Sequence, residues 1–598
     1  MNKPAPHSFF LCCATLLLCL LLPVSLPALE PPRAGELDQL RQAGLLEQRV
    51  QDAARFGNHL TRPDLVQHLR EKLARLAGQP VSSPDSDLMG EQLLWGMPSS
   101  GTNKVLILLI DFPEYAHSVS YATMSNMVLG TGNPANYPRE SLKSYYMRSS
   151  YSNLVIEGTV LDWYTLSHSR TWYTDTYGEG NNCNLEIIKE AVDFYDTSID
   201  YSQFDNNNDG QIDYFVVFWT GPTGPWASFW WGYMWSLFSD NLSRDGVRFY
   251  SFSWQWESDR PTVVIHETGH ALGLPDYYDY DGNVGPDGGV GGLDMMDANR
   301  GDHNAFSKFM LGWIEPTYVV TNMYDYQLRA SAQYPEAAVI MPEVSDESQA
   351  FDEYFMVQNR YRTLNDSGSM LPGNGLMVWH VDATPTWPGG TSFKYNNSYS
   401  THKLLRLMEA DGLEEIERGG SGDAGDFYTS AKSLSPGSSP NSDSYAGVMT
   451  GVTITDISAN SLSMTADLLL EVPMLELLNT NIFLDLNTPQ HSVIITNSGS
   501  YPLSYYVSRI SQVWLTASPS NATLAAHGTT NLVISANGDG LEARVHYASV
   551  YLKSNDPRYE SVRMYVDFMV PEPATGFLLL LLPAAMLYRR KTTPPSAI

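Results

Sequence analysis

One apolar segment, residues 263–276, carries two histidines at a spacing that constrains both the local fold and the chemistry of this chain. His266 and His270 are four residues apart, so on a helix their imidazoles share one face and can bind one metal ion. Glu267 follows the first histidine, where it can act as general base on a water bound to that metal. The segment therefore predicts a helix that bears a zinc-hydrolase site.

The residues after the second histidine predict how the helix ends and where a third ligand comes from. Gly273 tolerates the left-handed backbone conformation and can turn the chain back. That turn brings Asp276 toward the histidines as the third zinc ligand and leaves the fourth tetrahedral position for water. Asp279, Tyr277 and Tyr278 lie close behind and are the competing candidates for this ligand. At the other end, Ser258 or Asp259 is expected to cap the helix.

Two adjacent methionines lie downstream, within residues 291–297. A methionine on a tight turn after an extended histidine motif resembles the Met-turn of metzincin-like peptidases, where it forms an apolar floor under the metal. Met296 is the candidate for this role and Met295 is the alternative. The competing interpretation is that either methionine simply fills the core.

The order of these motifs resembles that of the immune inhibitor A family of secreted bacterial zinc metallopeptidases. In that family the extended motif ends in aspartate, so the resemblance supports Asp276 as the ligand. It also implies a zincin-like catalytic domain, zinc as cofactor, and proteins or peptides as substrates. The resemblance covers about residues 100–470, and besides the histidine helix it rests on residues 104–113, 145–152, 204–218, 305–314 and 375–382.

Composition and periodicity divide the chain into segments. Leucines at helical spacing predict a helical pro-segment within residues 30–95, although a structural helical hairpin explains the same pattern. Mixed patterns over residues 96–320 predict the catalytic domain, and strand patterns over 321–470 predict a β-rich domain packed on it. Residues 471–570 resemble an immunoglobulin-like β-sandwich. The expected fold class is α+β and multidomain, with a zincin-like metallopeptidase domain followed by β-rich domains.

The two ends of the chain predict export. Residues 1–29 have a short, leucine-rich apolar core followed by small residues, which is typical of a secretory signal peptide removed by signal peptidase. Residues 571–598 carry a Pro-Glu-Pro triplet, a short apolar segment and a basic cluster, and resemble the PEP-CTERM sorting signal of Gram-negative bacteria. This resemblance implies a sortase-like processing enzyme, transient membrane association through a short transmembrane segment, and an extracellular or cell-surface location. A retained N-terminal anchor and a plain C-terminal tail anchor are the alternatives.

Charge and cysteine content exclude some classes of function. The chain has 36 lysines and arginines against 66 aspartates and glutamates, a net charge of −30, which disfavours nucleic acid as a partner. Three of the four cysteines, Cys12, Cys13 and Cys19, lie in the predicted signal peptide. Cys183 alone remains, so the mature chain is expected to contain no intrachain disulfide.

A second ion site is predicted in residues 205–213, where oxygen side chains occupy calcium-loop spacings around Gly210. An Asx-rich turn without an ion is the alternative. A weaker acidic cluster later in the chain is either another site or a solvated loop. The calcium candidates are Asp205, Asn207, Asp209 and Asp213, and the later cluster comprises Glu409, Asp411, Asp423 and Asp426.

The sequence therefore predicts an exported zinc endopeptidase that hydrolyses peptide bonds through a zinc-activated water, with zinc and calcium as cofactors. Two alternatives remain open. One is a surface adhesion or structural protein with a vestigial peptidase site, and the other is a zinc hydrolase that acts on a non-peptide bond.

Overall fold

The computed structural model describes residues 36–76, 96–238, 242–258, 260–280, 282–340, 352–387, 390–556, 559 and 561–572. The predicted signal peptide, the linker that follows the N-terminal helices and the sorting segment from residue 573 lie outside the described residues. The chain divides into two compact units, Met1–Leu470 and Glu471–Ile598. The finer domain boundaries stay predictions.

The first unit contains all ten α-helices of the described part of the chain. They are α1 Glu36–Gln42, α2 Leu46–Phe56, α3 Pro63–Leu76, α4 Tyr121–Val128, α5 Leu142–Ser149, α6 Arg170–Tyr177, α7 Asn181–Tyr195, α8 Thr262–Ala271, α9 Met295–Ala298 and α10 Ala305–Met310. Its first strands are β1 Gly101–Asp111, β2 Leu154–Thr165, β3 Gln211–Ile212, β4 Phe215–Trp219, β5 Tyr233–Ser236, β6 Ser243–Arg244, β7 Val247–Phe249 and β8 Ser251–Trp256. Among these helices, none combines the length and apolar character that crossing a bilayer requires.

A five-stranded sheet in the order β2-β1-β4-β8-β5 organises the region that the sequence predicts to be catalytic. The four strands from β2 to β8 are parallel, and β5 pairs with β8 in the antiparallel sense at the edge. Residues 105–110 of β1 form an unbroken buried run because the sheet is covered on both faces. Val105 and Leu106, one residue apart, enter different hydrophobic clusters. Helix α8 packs on the first cluster and α7 on the second.

Strands of residues 317–470 complete the first unit. They are β9 Thr317–Val319, β10 Met323–Arg329, β11 Ala338–Ile340, β12 Glu353–Arg360, β13 Gly375–Asp382, β14 Leu405–Leu407, β15 Val452–Thr455 and β16 Ser463–Leu470. They form one sheet in the order β14-β13-β12-β11-β9 and a second in the order β10-β16-β15. Met356 and Trp379 lie in the same hydrophobic cluster as Ile265 of α8, so this β-rich part shares a core with the catalytic region.

The N-terminal helices contribute buried residues to both hydrophobic clusters of the first unit. Leu40, Val50 and Ala53 are buried in the cluster that contains α7, while Leu65 and Leu69 of α3 are buried in the cluster that contains α8. Segment 36–76 therefore packs as an integral layer of the first unit.

The second unit consists of strands in its described part. They are β17 Leu475–Leu477, β18 Asn481–Asp485, β19 Gln490–Asn497, β20 Leu503–Ile510, β21 Leu515–Ser518, β22 Asn521–Leu524, β23 Thr529–Ala536, β24 Val545–Ser554 and β25 Val562–Met569. Two sheets, in the orders β17-β19-β23-β21 and β18-β25-β24-β20-β22, contribute alternate residues to one shared core. The immunoglobulin-like assignment of this unit stays a prediction.

Candidate metal centre

Helix α8 carries the two histidines, and its start differs from the prediction. The residue before its first turn is Pro261, and no side chain caps the helix. The Oγ atom of Ser258 accepts a hydrogen bond from the amide of Arg260 instead, so the expectation of a Ser258 cap is wrong. The other cap candidate, Asp259, lies outside the described residues.

The end of α8 turns at Gly273, which has a φ of +103°. The amide of Gly273 donates to the carbonyl of His270, and the amide of Leu274 donates to that of Gly269. These two bonds form a Schellman motif, in which a residue with positive φ reverses the chain after the helix. The reversal carries the next residues back toward the histidine face.

Three side chains converge beside this turn. The Nε2 atoms of His266 and His270 are 3.1 Å apart. Oδ1 of Asp276 lies 2.9 Å from Nε2 of His266 and 3.3 Å from Nε2 of His270. All three residues are buried, so their polar atoms share one small, water-poor volume.

Backbone carbonyls orient both imidazoles. Nδ1 of His266 donates to the carbonyl of Met295 at 2.9 Å, and Nδ1 of His270 donates to the carbonyl of Leu274 at 2.8 Å. Since a carbonyl can only accept, the proton of each neutral ring resides on Nδ1, and the lone pair of Nε2 points toward Asp276. This is the arrangement by which outer partners fix the tautomer of a metal-binding histidine.

The second oxygen of Asp276 is also held. The hydroxyl of Tyr280 donates to Oδ2 of Asp276, a contact that the sequence analysis missed although Tyr280 lies only four residues beyond. Asp279, the competing ligand candidate, accepts a hydrogen bond from the amide of Gly282 and does not belong to the cluster. The structure thus brings Asp276, and not Asp279, to the two histidines.

The charges in this cluster favour a bound cation. Burial lowers the pKa of His266, but the hydrogen bond and negative charge of Asp276 outweigh burial and raise it to about 9. Burial raises the pKa of Asp276, but the two histidines outweigh burial and hold it at about 2. Asp276 therefore attracts a positive charge toward the Nε2 atoms, and a metal dication can supply that charge in place of a proton.

These groups fit a zinc ion. Imidazole nitrogen and carboxylate oxygen are common zinc ligands, and in a tetrahedral site neighbouring ligand atoms lie about 3.3 Å apart. The three atoms described above are separated by 2.9, 3.1 and 3.3 Å. Three protein ligands also leave one position free, as a catalytic site requires.

Glu267 lies next to these ligands and is fully buried. Neither of its side-chain oxygens has a hydrogen-bond partner in the described part of the protein. Burial raises the pKa of Glu267 to about 7, which suits a group that exchanges a proton near neutral pH. Because a buried, unpaired carboxylate is costly to keep, its presence points to function rather than stability.

Both methionines of the downstream turn contact the metal centre. The carbonyl of Met295 orients His266, and the side chain of Met296 lies against Gly269 of α8. Asp294 begins this turn by accepting a hydrogen bond from the Met296 amide. The structure therefore places the Met296 thioether under the histidine helix.

We expect Gly269→Ala to destabilise the protein, because the new Cβ would lie 2.3 Å from Sδ of Met296. Overpacking of this kind costs about 1–3 kcal/mol, whereas alanine in an open helix position would stabilise by up to about 1 kcal/mol. Thermal unfolding measures the difference. Adding Met296→Ala should relieve the overlap, so the double variant should be more stable than the two single effects predict. A higher melting temperature for Gly269→Ala alone would contradict this packing.

The N-terminal segment contacts the metal centre directly, which the sequence analysis missed. The carbonyl of Asn58 accepts a hydrogen bond from the amide of Asp276 at 2.7 Å. Arg62 donates through Nη1 to the carbonyl of Ala271 at 2.8 Å, and its amide donates to the carbonyl of Gly273 at 3.0 Å. More than 200 residues separate these partners, so no local pattern could have indicated the contacts.

The predicted calcium loop makes internal hydrogen bonds. Oxygens of all four candidates accept hydrogen bonds from backbone amides of residues 206–211. This bonding is typical of an Asx-rich turn, although one buried oxygen, Oδ1 of Asp213, has no partner. Calcium at Asp205, Asn207, Asp209 and Asp213 stays a prediction.

Comparison with known proteins supports a metallopeptidase. Residues 95–220 match the family described as "Immune inhibitor A peptidase M6, catalytic domain". The match ends before α8, so the metal centre lies beyond it. Residues 480–565 match a second family, described as "Viral BACON domain".

Two relatives carry names that agree with the first match. Immune inhibitor A of Bacillus thuringiensis subsp. alesti is 24% identical over 233 residues, which is 30% of this chain and 34% of that protein. Pre-pro-metalloprotease PrtV of Vibrio cholerae serotype O1 is 27% identical over 232 residues, which is 30% of this chain and 25% of that protein. The similarity thus spans only a quarter to a third of the length of these relatives.

Proposed function

We propose that this protein is an exported zinc-dependent endopeptidase with a zincin-like catalytic domain. The observation that carries the proposal is the convergence of His266, His270 and Asp276 beside the buried, unpartnered carboxylate of Glu267. The match of residues 95–220 to a peptidase M6 catalytic domain supports the same conclusion. Export to the outside of a Gram-negative cell is proposed on the two terminal sequence signals alone.

The roles of the side chains follow from their positions. His266, His270 and Asp276 would hold zinc, which when bound polarises a carbonyl and acidifies water. Glu267 takes a proton from the attacking water onto its free carboxylate oxygen and passes it to the leaving amine. The carbonyls of Met295 and Leu274 and the hydroxyl of Tyr280 keep the three ligands in place.

A cavity of about 330 Å³ is a candidate for the substrate cleft. It is lined by the ligand His270 and the turn residue Leu274, by residues 55–63 of the N-terminal segment, and by Phe393 and Tyr395. Its volume is at the lower end of the range for ligand sites. We propose that peptide side chains bind against the wall formed by His270, Leu274, Phe393 and Tyr395 once the N-terminal wall is displaced.

Casein digestion tests the proposal against its alternatives. We expect the purified protein to cleave casein, a zinc chelator to abolish cleavage, and added zinc to restore it. Chelator-sensitive release of amide-linked groups from polysaccharide, without casein cleavage, would favour the non-peptide hydrolase. Zinc-loaded protein that is inactive on both substrates would favour an adhesion protein with a vestigial site.

We further propose that segment 36–76 covers the metal centre before activation. His266 and Asp276 are at most 1% exposed and His270 is 8% exposed, so a substrate cannot reach the ligands while Asn58 and Arg62 keep their contacts. The burial of Leu65 and Leu69 in the core also fits a permanent structural hairpin.

Arg62→Ala distinguishes these two roles of the segment. The variant loses the hydrogen bond from Nη1 to the Ala271 carbonyl, which as a charged hydrogen bond contributes about 1.5–3 kcal/mol. A covering role predicts a several-fold faster cleavage of a short fluorogenic peptide. Arg41→Ala is the matched control, because Arg41 lies on the same segment but outside the cavity, is exposed, and forms its ion pair with Asp38. A lower melting temperature with an unchanged or lower cleavage rate would show that the hairpin is structural.

A further inference from the structure

A second group of acidic side chains lies in the β-rich part of the first unit. One oxygen from each of Glu409, Asp411, Glu415 and Asp426 lies within 4.8 Å of the other three. We name these four residues the loop carboxylate cluster. Asp423, which the sequence pattern included, is outside it: its exposed side chain caps a short 3-10 helix, while Glu415 takes the place in the cluster.

The cluster has oxygens that no protein group satisfies. Asp426 is fully buried, and its Oδ1 atom has no hydrogen-bond partner. Oε2 of Glu415 is likewise buried without a partner. Within the described residues, no lysine, arginine or histidine forms an ion pair with any of the four carboxylates. Lys432, for example, donates to the carbonyl of Ala410.

Backbone amides hold several other oxygens of the cluster in place. Glu409 accepts hydrogen bonds from the amides of Glu415 and Ile416, and Oδ2 of Asp426 accepts one from the amide of Asp423. A Cβ at Gly425 would lie 2.3 Å from Oδ2 of Asp411, so the absence of a side chain there lets that carboxylate approach. The backbone thus gathers the carboxylates although their charges repel.

We propose that the loop carboxylate cluster binds one calcium ion. Four carboxylates without nitrogen or sulfur ligands form a site for a hard cation, and calcium accepts the flexible, many-oxygen coordination that such a loop offers. A buried carboxylate oxygen without a partner costs free energy unless a cation or a proton neutralises it. Calcium would satisfy the free oxygens of Asp426 and Glu415 together.

Without a cation the cluster must take up protons. Burial, with added repulsion from Asp411 and other nearby carboxylates, raises the pKa of Asp426 to about 7. Burial and the charge of Asp426 raise the pKa of Glu409 to about 7. A bound cation would take the place of these protons on the buried oxygens.

The position of the cluster gives the ion a structural role near the metal centre. Ile416, next to Glu415, packs against Gly291, and a Cβ at Gly288 would lie 1.9 Å from the Ile416 carbonyl. The amide of Gly422 donates to the carbonyl of Gly291 at 2.8 Å. Residues 282–293, which these contacts hold, connect the ligand Asp276 to the methionine turn. Bound calcium would thus stabilise residues 282–293, which connect Asp276 to the methionine turn.

Calcium titration of the full chain at one equivalent of zinc tests this inference. Calcium chloride is added after removal of weakly bound cations, and both heat of binding and thermal unfolding are followed. We expect calcium to raise the melting temperature more than magnesium does at equal concentration. Asp426→Asn should weaken calcium binding at least about tenfold, since losing even an outer partner of a metal site costs 10–100-fold. Because the substitution removes a repelling charge, the calcium-free variant should be no less stable than calcium-free wild type.

The control is Asp423→Asn, which makes the same charge change in the same loop, keeps a capping residue and should leave calcium binding intact. Glu415→Gln should reproduce the effect of Asp426→Asn if the latter fails to fold. Asp209→Asn removes a carboxylate of the 205–213 loop and should leave the response of the cluster unchanged. The proposal would be overturned if calcium did not shift the melting temperature of the wild type. It would also be overturned if both cluster variants kept that shift, or if only Asp209→Asn lost it. Neither readout requires peptidase activity, so the outcome is independent of the proposed function.

Discussion

Glu267→Gln is expected to lose nearly all peptidase activity while about one equivalent of zinc stays bound. A general base contributes typically about 10²–10⁴-fold to the rate, so kcat should fall by at least about 100-fold. Glutamine keeps the size of the side chain but cannot take up a proton. Glutamine can still accept a hydrogen bond from the backbone of Met234, which faces Glu267, so the substitution should not unfold the helix.

The measurement combines kcat on a peptide substrate with zinc content by elemental analysis. Glu190→Gln is a matched control, since Glu190 lies on α7, which packs on the opposite face of the sheet, and accepts hydrogen bonds from Tyr164 and Ser167. That variant should keep full activity. If Glu267→Gln or Glu267→Ala retained more than a few per cent of kcat, Glu267 could not be the general base.

Asp276→Asn is expected to weaken zinc binding by more than the 10–100-fold that loss of an outer partner costs. Asparagine keeps the shape of aspartate but removes the charge that offsets the dication. Tyr280→Phe removes only the hydroxyl that donates to Oδ2 of Asp276, so its effect should be within that 10–100-fold range. In the wild type the carboxylate of Asp279 accepts a hydrogen bond from the amide of Gly282. Asp279→Asn should therefore leave zinc affinity nearly unchanged.

Competition with a chromogenic zinc chelator measures these affinities. For the wild type the affinity should rise with pH, because Asp276 raises the pKa of His266 and the metal must displace that proton. Zinc affinity should depend less steeply on pH in Asp276→Asn, because His266 then lacks the negative charge that raises its pKa. A large loss in Asp279→Asn with little change in Asp276→Asn would reassign the third ligand.

The two ends of helix α8 show how much of the structure local sequence patterns can predict. The helix over the histidine pair and the turn at Gly273 could be predicted because both follow from backbone geometry within about ten residues. The cap at Ser258 was predicted by the same logic and is wrong, because Ser258 bonds to Arg260 and α8 begins only after Pro261. Propensity at a helix end is a weak constraint that tertiary context overrides.

The acidic loop shows a different limit. Charge density along the sequence indicated residues 409–426 as a candidate cluster, but it selected Asp423 and passed over Glu415. Which carboxylates converge depends on the path of the loop, which is set by its contacts with Gly288 and Gly291 far away in sequence. Sequence spacing therefore identified the region, and the folded loop selected its members.

The sequence by itself determined the chemical type of the proposed metal centre, because the helix repeat places His266 and His270 on one face with Glu267 beside them. Tertiary structure alone decided which groups surround it. The carbonyl of Met295 holds His266, and the carbonyl of Asn58, more than 200 residues away in the sequence, holds the amide of Asp276. Local hydrogen bonds along a helix depend on a few neighbouring residues, whereas contacts across about 200 residues exist only once the whole core has packed.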